Sequence, residues 1–142
     1  MAYATTQNLI DRYGEIEIAR LSTAEGASTV AVDQARCQAA LDSATAQAES
    51  YLRAQVVVPM ASPPLAVVDH VCALARYYLA HGGGREPPTH MKTLRAEAIA
   101  WLRCVARGEV QLSDTVPSAG AQGGRFSDRG RVLSTDTLTG YI

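Results

Sequence analysis

The sequence predicts an all-α fold: a small helical bundle of two short N-terminal helices and three longer ones, with an extended C-terminal arm. Three observations predict it. Apolar residues recur at spacings of three and four through three long segments. Pro and Gly fall where those segments begin and stop. From Ser113 onward the composition changes to Gly, Ser and Thr. The expected division of the 142 residues is a helical body over 1–112 and an arm over 113–142.

The first helix is short. Thr5 or Thr6 can cap it, because a hydroxyl accepts a free N–H of the first turn. Leu9, Ile10 and Tyr13 form its stripe, and Gly14 ends it. A second short helix covers 15–21, followed by a small-residue loop over 22–28. The longest helical pattern spans about 29–55. Cys37, Leu41, Ala44, Ala48, Tyr51 and Leu52 fall on one face, with Gln34, Gln38, Asp42, Thr45 and Glu49 mostly on the other. Three β-branched residues, Val56, Val57 and Val58, then precede Pro59 and favour extended chain.

Pro63 and Pro64 introduce the next helix, over about 64–80. Leu65, Val68, Cys72, Ala75 and Leu79 mark one face, and Val67, Val71, Leu74 and Tyr78 a second. A helix apolar on two sides is expected at the centre. His81 and the run Gly82, Gly83, Gly84 stop it, and Pro87–Pro88 opens the last helix, over about 89–107. Its stripe is Met91, Leu94, Ala98, Trp101, Leu102 and Val105; Arg103 and Arg107 suit its C-terminal dipole, and Gly108 its cap. Trp101 is expected to be buried where the last two helices meet, so Trp101→Ala is expected to cost ~3–5 kcal/mol.

The arm has too few apolar groups for a core strand or helix. Yet Phe126, Val132, Leu133, Leu138, Tyr141 and Ile142 are spaced anchors that a mere linker would not carry. Residues 132–135 could pair with a partner as an added strand. The expected partner-binding residues are Phe126, Arg131, Leu133, Leu138 and Tyr141.

Charged residues are 19% of the chain, the formal net charge is −1, and only eight residues are aromatic (one Phe, one Trp, six Tyr). This balance excludes a basic nucleic-acid arm and a polybasic membrane anchor. Much of the apolar share is Ala, which gives shallow faces that pack closely but bury little area each. The run 65–80 is interrupted by Asp69, His70 and Arg76, so no membrane span is expected. The N-terminus has no basic or apolar signal-peptide region. Three cysteines without a CxxC pair argue against a disulfide framework.

No residue constellation points to catalysis, a cofactor or a metal. Cys72, His81, His90 and Cys104 have zinc-ligand chemistry but no compact spacing, and the cysteines lie on or beside apolar stripes. Asp69 and His70 are sequence neighbours, so on a helix they point about 100° apart, which suits no relay. The run Gly82–Gly84 lacks the strand, Lys and Ser/Thr of a phosphate loop. Arg125, Arg129 and Arg131 are offset by Asp114, Asp128 and Asp136.

Four ordered segments carry a family resemblance. They are YATTQNLIDRYG at 3–14; Tyr51–Leu52 with Val58–Pro59, Pro63–Pro64–Leu65 and ARYYL at 75–79; AWLR at 100–103 with GEVQL at 108–112; and RVLSTDTLTGY at 131–141. In this set the chain resembles the gene-36-like proteins of Mu-like phages. It departs from that pattern in a less acidic loop at 22–28 and a longer glycine run at 82–84.

The resemblance implies a structural virion protein, a head–tail adaptor made in the host cytoplasm and located in the neck. Its implied partners are the portal protein, neck and tail proteins, and further copies of itself in a homo-oligomeric ring of about twelve by family analogy. DNA would pass through the lumen without sequence-specific binding, and no membrane is involved. The alternatives are a tail-completion or stopper protein of the neck, or a small helical regulatory binding module. A regulator of nucleic acid would call for a basic helix face, which the charge pattern lacks. Shallow faces suggest a monomer or weak oligomer in solution, with the ring forming on the portal.

Overall fold

The computed structural model describes residues 1–113 and 115–117. Among these, five α-helices form the body: α1 Thr6–Tyr13, α2 Glu15–Ser22, α3 Gln34–Leu52, α4 Leu65–His81 and α5 Thr89–Ala106. A 3-10 turn, Gly82–Gly84, separates α4 from α5. The all-α expectation holds. The expected arm residues Phe126, Arg131, Leu133, Leu138 and Tyr141 lie outside the described residues.

Thr5 is the residue that caps α1. Its Oγ1 accepts the Asn8 N–H at 3.2 Å, and Asn8 Oδ1 accepts the Thr5 N–H at 2.8 Å. This reciprocal pair satisfies two otherwise free donors. Thr6 is already helical and buried. Gly14 joins α1 to α2 at φ +90°, a backbone angle that any side chain would strain.

α4 is central, as its two apolar faces imply: it touches α1, α2, α3 and α5. Val67, Val71, Cys72, Leu74 and Ala75 are fully buried there. They meet Cys37, Leu41, Ala44, Ala48 and Leu52 from α3, and Ala98, Leu102 and Val105 from α5. Alanines at the contacts let these helices approach closely.

Several side chains fall differently from the stripes. α3 begins at Gln34, five residues later than expected, because Asp33 caps it through its carboxylate on the Arg36 N–H at 3.1 Å. Thr45, expected on the polar face, is buried and accepts the Tyr3 N–H at 3.1 Å. Leu65 sits in the first turn of α4 and stays 70% exposed, and Leu94 is also exposed. Trp101 is half-buried rather than buried: one side packs against the core and its ring stacks on His70 of α4. Truncating it would leave an opening rather than a closed cavity, so the cost lies below that of a buried tryptophan.

Candidate functional site

Three features of the surface are built rather than incidental. The first is a polar clamp at the N-terminal end of the body. Arg12 of α1 pairs with Asp69 of α4, 57 residues away in sequence. Arg76 of α4 pairs with Glu17 of α2, its Nε lying 3.0 Å from Glu17 Oε1. The Arg76 guanidinium also lies over the Tyr13 ring at 4.3 Å, with His90 Nε2 3.5 Å from its Nη2. Burial is the main influence that pushes the Tyr13 hydroxyl pKa up. The clamp fixes α1 and α2 against α4.

The second feature is the place where the chain leaves α5. Arg107 is the C-cap of α5, Gly108 follows it at φ +77°, and the chain returns to the α3–α4 linker. Gln55 Nε2 donates to the Ala106 carbonyl at 3.0 Å. The Val57 N–H donates to the Val116 carbonyl at 2.8 Å, and Val56 and Pro117 form an antiparallel bridge. Val57 and Val116 are 50% and 68% exposed. The root of the arm is therefore pinned beside the C-terminal end of α3.

The third lies at the opposite end of α3. Residues 30–33 run past the end of α2 without helix or turn. With Ile16 and Ala19 of α2, Val30 and Val32 line an open groove of about 510 Å³, and Glu15 and Arg20 line it as well. Ile16 is 70% exposed and Val30 60%.

The residues with catalytic or metal-binding chemistry are dispersed. Asp69 turns to Arg12 while His70 stacks on Trp101, so neighbours in sequence serve different contacts. Cys72 is buried in the core, and burial raises its thiol to about 11. Cys104 is half-buried, His81 stacks on Tyr77, and His90 sits by Arg76. Among the described residues no three His, Cys, Asp or Glu side chains are grouped to hold a metal ion. Among them, too, no helix is long and apolar enough to cross a membrane. Arg125, Arg129 and Arg131 lie outside the described residues.

Sequence reasoning missed the clamp, the arm root and the groove. One signal for the groove was available. Asp33 is a preferred helix cap, and Val30 and Val32 alternate just before it, which is a strand-like period.

A family model described as Bacteriophage Mu, Gp36 matches residues 3–126. The chain is also similar to the Mu-like prophage FluMu protein gp36 of Haemophilus influenzae. The two are 28% identical over 145 residues, which covers 99% of this chain and 98% of the relative.

Proposed function

The chain belongs to the bacteriophage Mu Gp36 family of phage proteins, and from that premise we propose that it is a structural virion protein, a head–tail adaptor. In this reading it assembles as a homo-oligomeric ring between the portal and the neck or tail proteins. Its arm docks on the portal or on the adjacent copy. The observation that carries the reading is the family match, which spans the whole helical body and enters the arm.

The geometry supports it. Ring subunits need two different surfaces that meet head to tail, so that rotation closes the assembly. Here apolar side chains are exposed at both ends of α3: Ile16 and Val30 at one, Val57 and Val116 at the other. A formal net charge of −1 keeps crowded copies from repelling one another. Few large apolar side chains are exposed at either end, which suits a chain that is monomeric or weakly associated until a platform gathers it.

Cryo-EM of the assembled neck tests the reading. The five-helix body is expected in a ring that adjoins the portal. A particle without the chain overturns a virion role, and a ring remote from the portal overturns the adaptor position in favour of a tail-completion protein. Deleting residues 126–142 is expected to leave helical circular dichroism and melting nearly unchanged, yet to stop heads from joining tails. Normal infectious particles from the truncated chain would remove the arm from the mechanism.

A further inference from the structure

An arginine stands in the core-facing row of α5. The row is Met91, Arg95, Ala98, Leu102 and Val105, at spacings of four and three, and its other members are buried. Arg95 Nε is buried too and has no hydrogen-bond partner among the described residues. The guanidinium carbon lies 4.7 Å from the centre of the Tyr77 ring. Its charge also reaches Tyr78: burial chiefly raises the Tyr78 hydroxyl pKa, and Arg95 pulls it down. Tyr78 in turn lines an open cleft of about 390 Å³ between α3 and α4, together with Arg36 and Ser43. A Cβ at Gly82 would lie 3.4 Å from Arg36 Nη2, so that guanidinium spans from α3 to the end of α4. The Tyr78 hydroxyl donates to Gln47 Oε1, which leaves the Gln47 amide nitrogen with donors to offer.

This side of the molecule holds cations and donors without a carboxylate to match. Neither Arg36 nor Arg95 makes an ion pair among the described residues. Arg36, Ala40, Ser43 and Gln47 share one face of α3, and Asp42 and Glu49 lie about 130° and 150° round the helix from it. Glu97 lies about 200° round α5 from Arg95. Asp33 is engaged as the cap of α3, and Glu86 is paired with Lys92. Two guanidiniums, a hydroxyl and an amide therefore face an opening that calls for carboxylates.

We propose that the cleft is one half of a contact between copies, and that it receives the α1–α2 corner of a second copy through Asp11 and Glu15. The proposal deepens the adaptor reading and rests on it. Two observations select the occupant. The first is charge. Among the described residues, only Asp11 and Glu15 are exposed carboxylates within four residues of each other and outside any ion pair. Of the nearby cations, Arg12 is held by Asp69, and Arg20 lies about 140° round α2 from Glu15.

The second is position. Asp69 and Arg76, seven residues apart on one face of α4, hold α1 and α2. Tyr78 is two residues past Arg76, about 200° round the helix, so corner and cleft lie on opposite sides of α4. α1 and α2 pack on α3 and α4 and not on α5, so a chain's own corner does not reach its own Arg95. Each copy thus offers carboxylates on one side and guanidiniums on the other, the two unlike surfaces of a head-to-tail join.

Charge reversal in assembling phage tests the proposal. Full-length chains carry the cleft half (Arg36→Glu with Arg95→Glu), the corner half (Asp11→Arg with Glu15→Arg), or all four substitutions. Each half alone is expected to lower the yield of infectious particles by about tenfold or more. The combined chain is expected to recover to within about threefold of wild type, because each copy again meets opposite charge on the next. Glu97→Arg, on the outer face of α5, is expected to change nothing. A cleft half that assembles normally, or an equal loss from Glu97→Arg, overturns the site. A combined chain no better than the weaker half overturns the second copy as occupant. Wild-type particles that lack the chain overturn the adaptor reading and the proposal together. If the cleft half loses the wild-type helical circular dichroism, cross-linking in particles decides. Two chains, each with Cys104→Ser to remove the partly exposed thiol, then carry Ser43→Cys and Asp11→Cys respectively. A linked dimer about tenfold above either variant alone is expected after oxidation with copper phenanthroline. No excess over the single variants overturns the proposal.

Discussion

The centre of this molecule and its N-terminal end are held by different physics. Where α3, α4 and α5 meet, the core contacts are mainly aliphatic, alanine and cysteine side chains with no exposure, among them Leu41, Val71, Leu74 and Leu102, and polar contacts such as the hydrogen bond from Tyr78 to Gln47 lie at the margin. Where α1 and α2 meet α4, Leu9 and Ile18 are buried too, but orientation is set by two ion pairs and a cation over an aromatic ring. The first kind of contact is non-directional and repeats with the helix. The second is directional and joins residues 57 and 59 positions apart. The difference teaches that the bundle's stability and the placement of its N-terminal helices can be altered separately.

The strongest test of that separation is Leu74→Ala. Leu74 is fully buried on the central helix, so the substitution loses transfer energy and leaves a cavity. A loss of about 3 kcal/mol is expected in urea unfolding. A loss below about 1 kcal/mol would mean that the alanine-rich surroundings collapse onto the gap.

Arg76→Ala should cost less, about 2 kcal/mol, because a charged hydrogen bond and the stack on Tyr13 are lost from a mostly buried side chain. Arg76→Lys keeps the charge but not the planar fork, so it should recover only part of the loss. Arg12→Ala should cost under about 1 kcal/mol, since both partners of that pair are about a third exposed. Equal costs for the two arginines would break the distinction between a buried and an exposed arm of the clamp.

Thr5→Ala tests the outermost contact of the same end. It removes the acceptor for the Asn8 N–H and breaks the capping box. Thermal unfolding should report a loss of about 1 kcal/mol, with hydrogen exchange rising first in α1. Uniform exchange across all helices would show that α1 does not open on its own.

The same contrast explains what could be read from the sequence. The stripes of α3, α4 and α5 were legible because burial on a helix repeats every three or four residues. Cys37, Leu41, Val71, Leu74, Ala98 and Leu102 were all placed on core faces. Polar partners carry no period, so nothing in the chain linked Arg76 to Glu17 or Val57 to Val116. The groove was hidden for another reason. Helical spacing continues back past the cap at Asp33, which carries Val30 and Val32 into an overlong α3. The spacing of Trp101 points to the core, but its outer face depends on His70 from another helix.

That His70–Trp101 pair gives the smallest expected effect, and the one most specific to a single contact. The rings are stacked with centroids 4.2 Å apart and planes 28° from parallel. Burial holds the imidazole pKa below its ordinary 6.5, with Asp69 pulling upward and Arg12 downward as lesser influences. The folded protein therefore resists a proton that the unfolded chain accepts near pH 6.5. Stability from this group is complete above that pH, falls as pH drops below it, and levels off once the folded form is protonated too. Trp101 is the one tryptophan of the chain, so its emission reports the event directly. A charged imidazolium on the indole face should quench it, with a midpoint below pH 6.5. His70→Phe keeps an aromatic stack and should abolish the quench and its share of the acid sensitivity. A midpoint at or above 6.5 would mean that Asp69, not burial, governs His70, and that this edge of the α4–α5 contact belongs with the polar end of the molecule rather than with its core.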